Sequence, residues 1–185
     1  MTTTANLSDS ELLVQFRNPV TKEKAFTILI KKYQEKLYWH VRRMVVEHED
    51  ANDVLQNVFI RVWNGLENFR EDSQLYTWLY RIATNECLTY IEQQKKRSAI
   101  SLSEVETGLS NKIKADKHFD PNRLEWKLQL AIQQLPEKQR IVFNLRYYDE
   151  MPYEEMSRVL ETSEGALKAS YHHAVKKIED YIRNH

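Results

Sequence analysis

The sequence predicts an all-α protein of two small helical domains joined by a linker, the C-terminal one carrying a helix-turn-helix. Three observations predict it. Only 3 glycines and 4 prolines stand in 185 residues, too few for the turns of an all-β chain. Apolar residues recur at three- and four-residue spacing nearly throughout, among residues that favour helix. That periodicity fails from Ser98 to Asp120, a stretch of Ser, Thr, Asn, Gly108 and charges longer than loops inside one domain usually are. The expected division is therefore residues 7–97, a linker over 98–120, and a second domain over 121–185, each able to bury only a modest core.

Ser8 and Glu11 have the spacing of a capping box and open a short helix that ends before Pro19. Thr21 starts a long helix with Phe26, Leu29, Ile30, Tyr33, Leu37, Val41, Met44 and Val45 as its buried stripe. Lys31, Lys32, Arg42 and Arg43 fall largely outward, as a solvated face. The third helix, from Asp50 to Asn64, buries Val54, Leu55, Val58, Phe59 and Val62, with Leu66 just beyond. On its other face Asp53, Gln56, Asn57 and Asn64 surround Ile60. A single exposed apolar side chain is ordinary, but one inside a polar ring also suits protein docking.

Asp72 or Ser73 can cap a fourth helix that starts at Gln74 and closes the first domain at Lys95, Lys96 and Arg97. Leu75, Trp78, Leu79, Ile82 and Tyr90 fall on one side of it, and Thr77, Arg81, Thr84 and Asn85 form a polar strip on the other. Trp78 lies at the edge of that strip, and the loop just upstream adds Phe69, Arg70 and Ser73. Ring faces accept unstacked bases, while amide and guanidinium groups bond base edges or phosphates, so the mixture suits single-stranded nucleic acid. A buried aromatic helix with a solvated edge would show the same pattern.

In the second half Asp120 caps a helix with Pro121 at its first position, and Leu124, Leu128, Ala131, Ile132 and Leu135 form its stripe. Pro136 restarts a helix that buries Ile141, Val142, Leu145 and Tyr148. A short helix from Tyr153 to Leu160, a turn at Glu161, Thr162 and Ser163, and a final helix follow. Leu167, Tyr171, Ala174, Val175, Ile178, Tyr181 and Ile182 line the inner face of the last helix, opposite Gly165, Ala169, His172, His173 and Lys176. A short helix, a tight turn and a longer helix with small and basic outward residues form a helix-turn-helix, which places its second helix in the major groove.

Charge, cysteine and histidine narrow the function. The 27 basic and 27 acidic residues cancel, whereas an autonomous DNA binder usually carries a basic excess, so DNA binding here requires help from another component. Cys87 is the only cysteine, which excludes an internal disulfide and agrees with a reducing compartment. The N-terminus lacks the pattern of a signal peptide and no apolar run reaches spanning length, so the expected protein is cytoplasmic with no direct membrane insertion. Metal-dependent hydrolysis would need ligands from His40, His48, His118, His172 or His173; His40 and His48 fall roughly 12 Å apart along a helix and adjacent His172 and His173 point about 100° apart, so neither pair suits one metal, and neither His-Glu-x-x-His nor a glycine-rich phosphate loop is present. We expect no enzyme, no catalytic residue, no metal and no cofactor.

The motifs together resemble a family. Asp50 to Phe59 with Val62 and Trp63, then Phe69 to Ser73 with Thr77 to Asn85, then Leu135 to Arg140 with Tyr153 to Met156 and Gly165 to Lys168 are similar to those of the extracytoplasmic-function (ECF) sigma factors of bacterial RNA polymerase. The similarity covers nearly the whole chain, in the family's order. It implies a dissociable subunit that binds core RNA polymerase, recognises promoter DNA and helps open it, with an anti-sigma factor as a further partner. By resemblance, Asp50, Asp53, Gln56, Asn57 and Ile60 dock on core polymerase. Phe69, Arg70 and Ser73 pocket a flipped base of the minus-ten element, with Thr77, Trp78, Arg81 and Asn85 beside the melting strand. Lys168, Ser170, His172, His173, Lys176 and Lys177 read the minus-thirty-five duplex, and the linker runs through core polymerase. A stand-alone helix-turn-helix regulator is the alternative, and it would bind DNA tightly without polymerase.

The terminal helix departs from the family pattern, which after Gly165 has Thr, Val, Lys and Ser and then two arginines. Here Ala166, Leu167, Lys168 and Ala169 are followed by Ser170 and His173 at the arginine positions. Without the arginine fork, the helix is expected to rely more on phosphate and shape contacts, and to bind more strongly as falling pH charges the histidines.

Overall fold

The computed structural model describes residues 7–98 and 124–185. Among them stand eight α-helices and no strand: α1 (Asp9–Arg17), α2 (Lys22–Val45), α3 (His48–Gly65), α4 (Leu75–Ser98), α5 (Leu124–Gln133), α6 (Glu137–Tyr147), α7 (Tyr153–Leu160) and α8 (Glu164–Asn184). A single 3-10 turn, Leu66–Asn68, follows α3. The chain divides into two compact units after Tyr90. The expected cap at Asp120, the proline at 121 and the expected linker lie outside the described residues.

The first unit is built on α2. Its stripe of Leu29, Tyr33, Leu37, Val41, Met44 and Val45 is buried, and so is His40. Helix α1 begins with the expected capping box, in which the Ser8 hydroxyl accepts from the Glu11 amide and the Glu11 carboxylate accepts from the Ser8 amide. It buries Leu12, Leu13 and Phe16 against the rest. Phe16 meets Trp63 edge-on at 5.3 Å, Phe26 meets the same indole at 4.9 Å, and the Lys22 ammonium lies 5.0 Å and 4.9 Å from the Phe16 and Trp63 ring centres. Aromatic edges and a cation on ring faces thus join the first three helices. Between α2 and α3 the chain reverses through Val46, at φ 69°, ψ −42°, with the Glu47 amide donating to the Val45 carbonyl at 2.9 Å. This is a γ-turn on a β-branched residue, strained by about 1–3 kcal/mol, and it folds α3 back along α2.

Asp9 ties the start of α1 to α2. Its carboxylate accepts from the Tyr33 hydroxyl at 2.7 Å and 2.8 Å and from the Lys32 ammonium at 2.8 Å. Burial, then the hydrogen bond to Asp9 and its charge, push the Tyr33 phenol well above its ordinary value of 10.0. The folded protein holds this proton more tightly than the unfolded chain, so the contribution is complete below about pH 10 and is lost as pH rises beyond it. Burial, followed by Glu86, moves the Cys87 thiol in the same direction. Urea midpoints measured from about pH 8 to pH 11 are therefore expected to fall for the parent, and to fall less for Tyr33→Phe, which retains Cys87. At neutral pH that variant should lose about 0.5–1.5 kcal/mol with its hydrogen bond. Equal alkaline slopes would show that Tyr33 does not carry the effect.

The second unit packs α5, α6 and α7 around α8. Ala131, Ile132, Leu135, Phe143, Ala174 and Ile178 form its buried cluster, with Leu128, Tyr148, Tyr171, Val175, Tyr181 and Ile182 packed against it. Leu124, expected in this stripe, is 65% exposed, because the packed face of α5 begins only at Leu128. Pro136 precedes α6 and Pro152 precedes α7, each placed where a missing amide hydrogen costs nothing. Asn144 is an odd core residue. It is 1% exposed, and neither its side-chain oxygen nor its nitrogen has a partner among the described residues. Burying an unpaired amide costs about 1–3 kcal/mol, so Asn144→Leu, close in volume, is expected to raise stability by that order in urea melts. A destabilised Asn144→Leu would mean that the amide is satisfied in solution.

Candidate nucleic-acid and polymerase interface

Three surfaces carry the residues that the sequence singles out. On α3 the inner face buries Ala51, Val54, Val58 and Val62. Asp53, Gln56, Asn57 and Asn64 are exposed, Asp50 is half-buried, and Ile60 stands 53% exposed among them. Leu55 and Phe59, expected in the core, lie half-buried on its flanks. Arg61 on the same helix pairs with Glu86 of α4, fixing one helix against the other.

The second surface joins the loop from Phe69 to Ser73 with α4. Helix α4 starts at Leu75, and the Gln74 carbonyl accepts from the Trp78 amide at 3.2 Å, so the described start is one residue later than expected. The Phe69 ring is only 7% exposed and lies tilted on Trp78, with centroids 5.2 Å apart. Trp78 in turn rests on the end of α3. A Cβ at Gly65 would come within 3.2 Å of the indole, so glycine allows the close approach. Half-buried Trp78 therefore has one face committed to Phe69, and Phe69 serves as its seat rather than as an open platform.

The polar strip of α4 is narrower than the helical wheel suggests. Thr77 is 2% exposed and Thr84 is buried, its hydroxyl 2.9 Å from Nε2 of the buried His40, whose ring also meets Tyr80 at 4.9 Å. The contact with His40 of α2 makes Thr84 a core group, and Thr77 is buried as well. Arg81 and Asn85 remain exposed, and Arg70 is exposed and Ser73 half-buried in the loop. Exposed groups for a strand are thus Arg70, Arg81 and Asn85, with the rim of Trp78.

Nothing in the sequence marked two residues that shape this loop. The Arg17 guanidinium, on the last turn of α1, donates to the Phe69 carbonyl at 3.0 Å and pairs with Glu71 at 3.2 Å. Glu71 itself adopts φ 60°, a left-handed conformation that costs a residue with a side chain about 1–2 kcal/mol.

The third surface is α8. Glu161 ends α7 at φ 51°, ψ 43°, in the left-handed conformation that commonly closes helices, and the Ser163 hydroxyl caps α8 by accepting from the Ala166 amide at 3.3 Å. The turn between the helices is as short as expected. Lys168, His172, His173, Lys176 and Lys177 are exposed along α8 and Ser170 is half-buried. The Lys168 ammonium is 5.6 Å from the Tyr153 ring centre and 3.5 Å from Glu164, and the two adjacent histidine rings stand 6.0 Å apart. Among the described residues no helix is long and apolar enough to cross a membrane.

Comparison with known proteins decides what these surfaces belong to. Residues 29–97 match Sigma-70 region 2, and residues 125–178 match Sigma-70 region 4. The chain is 32% identical over 173 residues to the ECF RNA polymerase sigma-E factor of Escherichia coli K12, covering 87% of this chain and 88% of that protein. The chain belongs to the ECF sigma factors. It is also 30% identical over 169 residues to the RNA polymerase sigma-H factor of Pseudomonas aeruginosa, again over 87% of this chain and 88% of the relative. In fold it is similar to CnrH in its complex with the cytosolic domain of CnrY, with a TM-score of 0.69 at 21% identity over 95% of this chain and 97% of the other. The sigma factor RpoE, in complex with the anti-sigma factor NepR from Bartonella quintana, gives a TM-score of 0.65 at 18% identity, over 86% and 98% of the two chains. As a sigma factor the chain binds core RNA polymerase and directs promoter recognition and transcription initiation, which favours this function over that of a stand-alone regulator. Helix α1 lies outside both matched segments.

Proposed function

We propose how this ECF sigma factor divides the work among its surfaces. The outer face of α3, with Asp50, Asp53, Gln56, Asn57 and Ile60, docks on core polymerase. The loop from Phe69 to Ser73 receives a flipped base of the minus-ten element, and Trp78, Arg81 and Asn85 hold the separated strand. Phe69 acts through its packing on Trp78, and Thr77 supports the helix from inside. Helix α8 reads the minus-thirty-five duplex through Lys168, Ser170, His172, His173, Lys176 and Lys177. The working domains are residues 7–97 and 121–185, joined by a linker over 98–120. The protein works in the cytoplasm, without chemistry of its own, and an anti-sigma protein of the kind found with Bartonella RpoE restrains it.

The observation that carries this reading is exposure: Arg70 in the loop and Arg81 and Asn85 on α4 are exposed and Trp78 is half-buried, all within the segment that matches region 2. Separating base pairs costs on the order of 1–2 kcal/mol per stacked step, and ring and amide contacts to the freed bases can return about as much. Zero net charge agrees with this division of labour, because core polymerase supplies the phosphate attraction that the free subunit lacks. Run-off transcription with core polymerase, with and without the protein, on the promoter of its own operon is the direct test. Transcripts that require the protein support the reading; tight DNA binding without polymerase and no transcript would restore the stand-alone regulator.

A further inference from the structure

We propose that Arg17 is a positioning residue for the base-receiving loop, so that base selectivity in the minus-ten element is set partly by α1, outside the segment that matches region 2. This rests on the reading of Phe69 to Ser73 as that loop. One guanidinium nitrogen reaches both the Phe69 carbonyl, at 3.0 Å, and the Glu71 carboxylate, at 3.2 Å, across 52 residues of sequence from Arg17 to Phe69. The loop is therefore held from two directions. Its Phe69 ring is pinned to Trp78, and its backbone on the other side is pinned to α1.

The arm that carries Arg17 is rigid. The preceding residue, Phe16, is 1% exposed and locked edge-on against Trp63, and α1 packs against the 3-10 turn that leads into the loop. The capping box at Ser8 fixes the other end of the helix. The pair itself contributes little to stability, because the Arg17 and Glu71 side chains are 43% and 47% exposed and water screens them. Its effect is on position. Glu71 sits in a left-handed conformation next to Arg70, and a loop free to leave it would present Arg70 and the base pocket at variable distances. Recognition of a flipped base depends on placement within a fraction of an ångström, so loosening the loop reduces discrimination before it reduces folding. Arg17 also neutralises Glu71 where a phosphate chain must approach, and the test has to separate this charge effect from positioning.

Holoenzymes reconstituted from core polymerase and full-length protein are compared on the promoter of its own operon, with each of the four bases placed in turn at the flipped position. Open complex is read by permanganate reactivity. Alanine at an exposed last-turn site keeps the helix, so Arg17→Ala is expected to melt within about 3 °C of wild type and to bind core polymerase equally well. Its preference for the best base over the worst should fall by about threefold or more. In the double variant Arg17→Ala, Glu71→Gln the uncompensated charge is gone, yet the loop remains unbraced, so selectivity stays low. Recovery of selectivity in the double variant would reduce Arg17 to a charge mask and overturn the proposal. So would wild-type selectivity in Arg17→Ala, or a loss that accompanies a large fall in melting temperature. Asn85→Ala serves as the control on the underlying reading: if it opens the promoter normally, the minus-ten assignment itself fails, whereas reduced opening by Asn85→Ala beside a selective Arg17→Ala sinks only the role of Arg17.

Discussion

Replacing Ile60 with lysine is expected to weaken association with core RNA polymerase by about tenfold or more while leaving the protein folded. The inner face of α3 is held by Val54, Val58 and Val62, and Ile60 points the other way at 53% exposure, so its loss should change stability by no more than about 0.5 kcal/mol. In a docked complex the same side chain would be the apolar centre of a polar ring formed by Asp53, Gln56, Asn57 and Asn64. An ammonium group placed there must be desolvated without a partner, and about 1.4 kcal/mol already corresponds to tenfold in affinity. Asp53→Lys should act in the same direction with a stronger dependence on salt, because it changes a rim charge rather than a buried contact. A pull-down or fluorescence titration against core polymerase checks both. A folded Ile60→Lys that binds core polymerase as well as wild type would remove the outer face of α3 from the docking surface.

What the sequence revealed of this fold was local, and what it hid was contact between distant segments. The box formed by Ser8 and Glu11, the prolines before α6 and α7, and the turn at Glu161 to Ser163 are written within a few residues of where they act. The helix from Tyr153 to Leu160 and the start of α8 after Ser163 could accordingly be placed from composition and spacing. The helical wheel of α4 failed for Thr77 and Thr84 because a wheel gives directions but not the width of the surface that a neighbouring helix covers. The partner of Thr84 is His40, 44 residues earlier, a buried core group that hydrogen-bonds it. The burial of the Phe69 ring, tilted against Trp78, is hidden in the same way. Arg17 gave no signal, because an arginine at the end of a helix ordinarily satisfies the last carbonyls of its own helix rather than those of a distant loop.

The burial of Phe69 also determines which substitutions can test promoter opening. Phe69→Ala would remove a packed ring at a cost of about 3–5 kcal/mol, and its effects on DNA could not be separated from damage to the fold. Arg81 and Asn85 are exposed on the outer strip of α4, and alanine is a good helix former. The double variant Arg81→Ala, Asn85→Ala is expected to keep its melting temperature within about 3 °C and to bind core polymerase as wild type does. It should nevertheless lower the open-complex fraction by about tenfold or more, because it removes one guanidinium and one amide contact, each worth on the order of 1–3 kcal/mol to the correct strand. The separated bases would then keep only the rim of Trp78. The deficit should therefore shrink on templates whose minus-ten segment is already mismatched, where the polymerase no longer supplies the energy of unpairing. Permanganate reactivity of promoter thymines on duplex and premelted templates measures both effects. Equal opening by wild type and the double variant on duplex DNA would place the strand-holding surface elsewhere; a deficit that persists undiminished on premelted DNA would place the defect in a step other than strand separation.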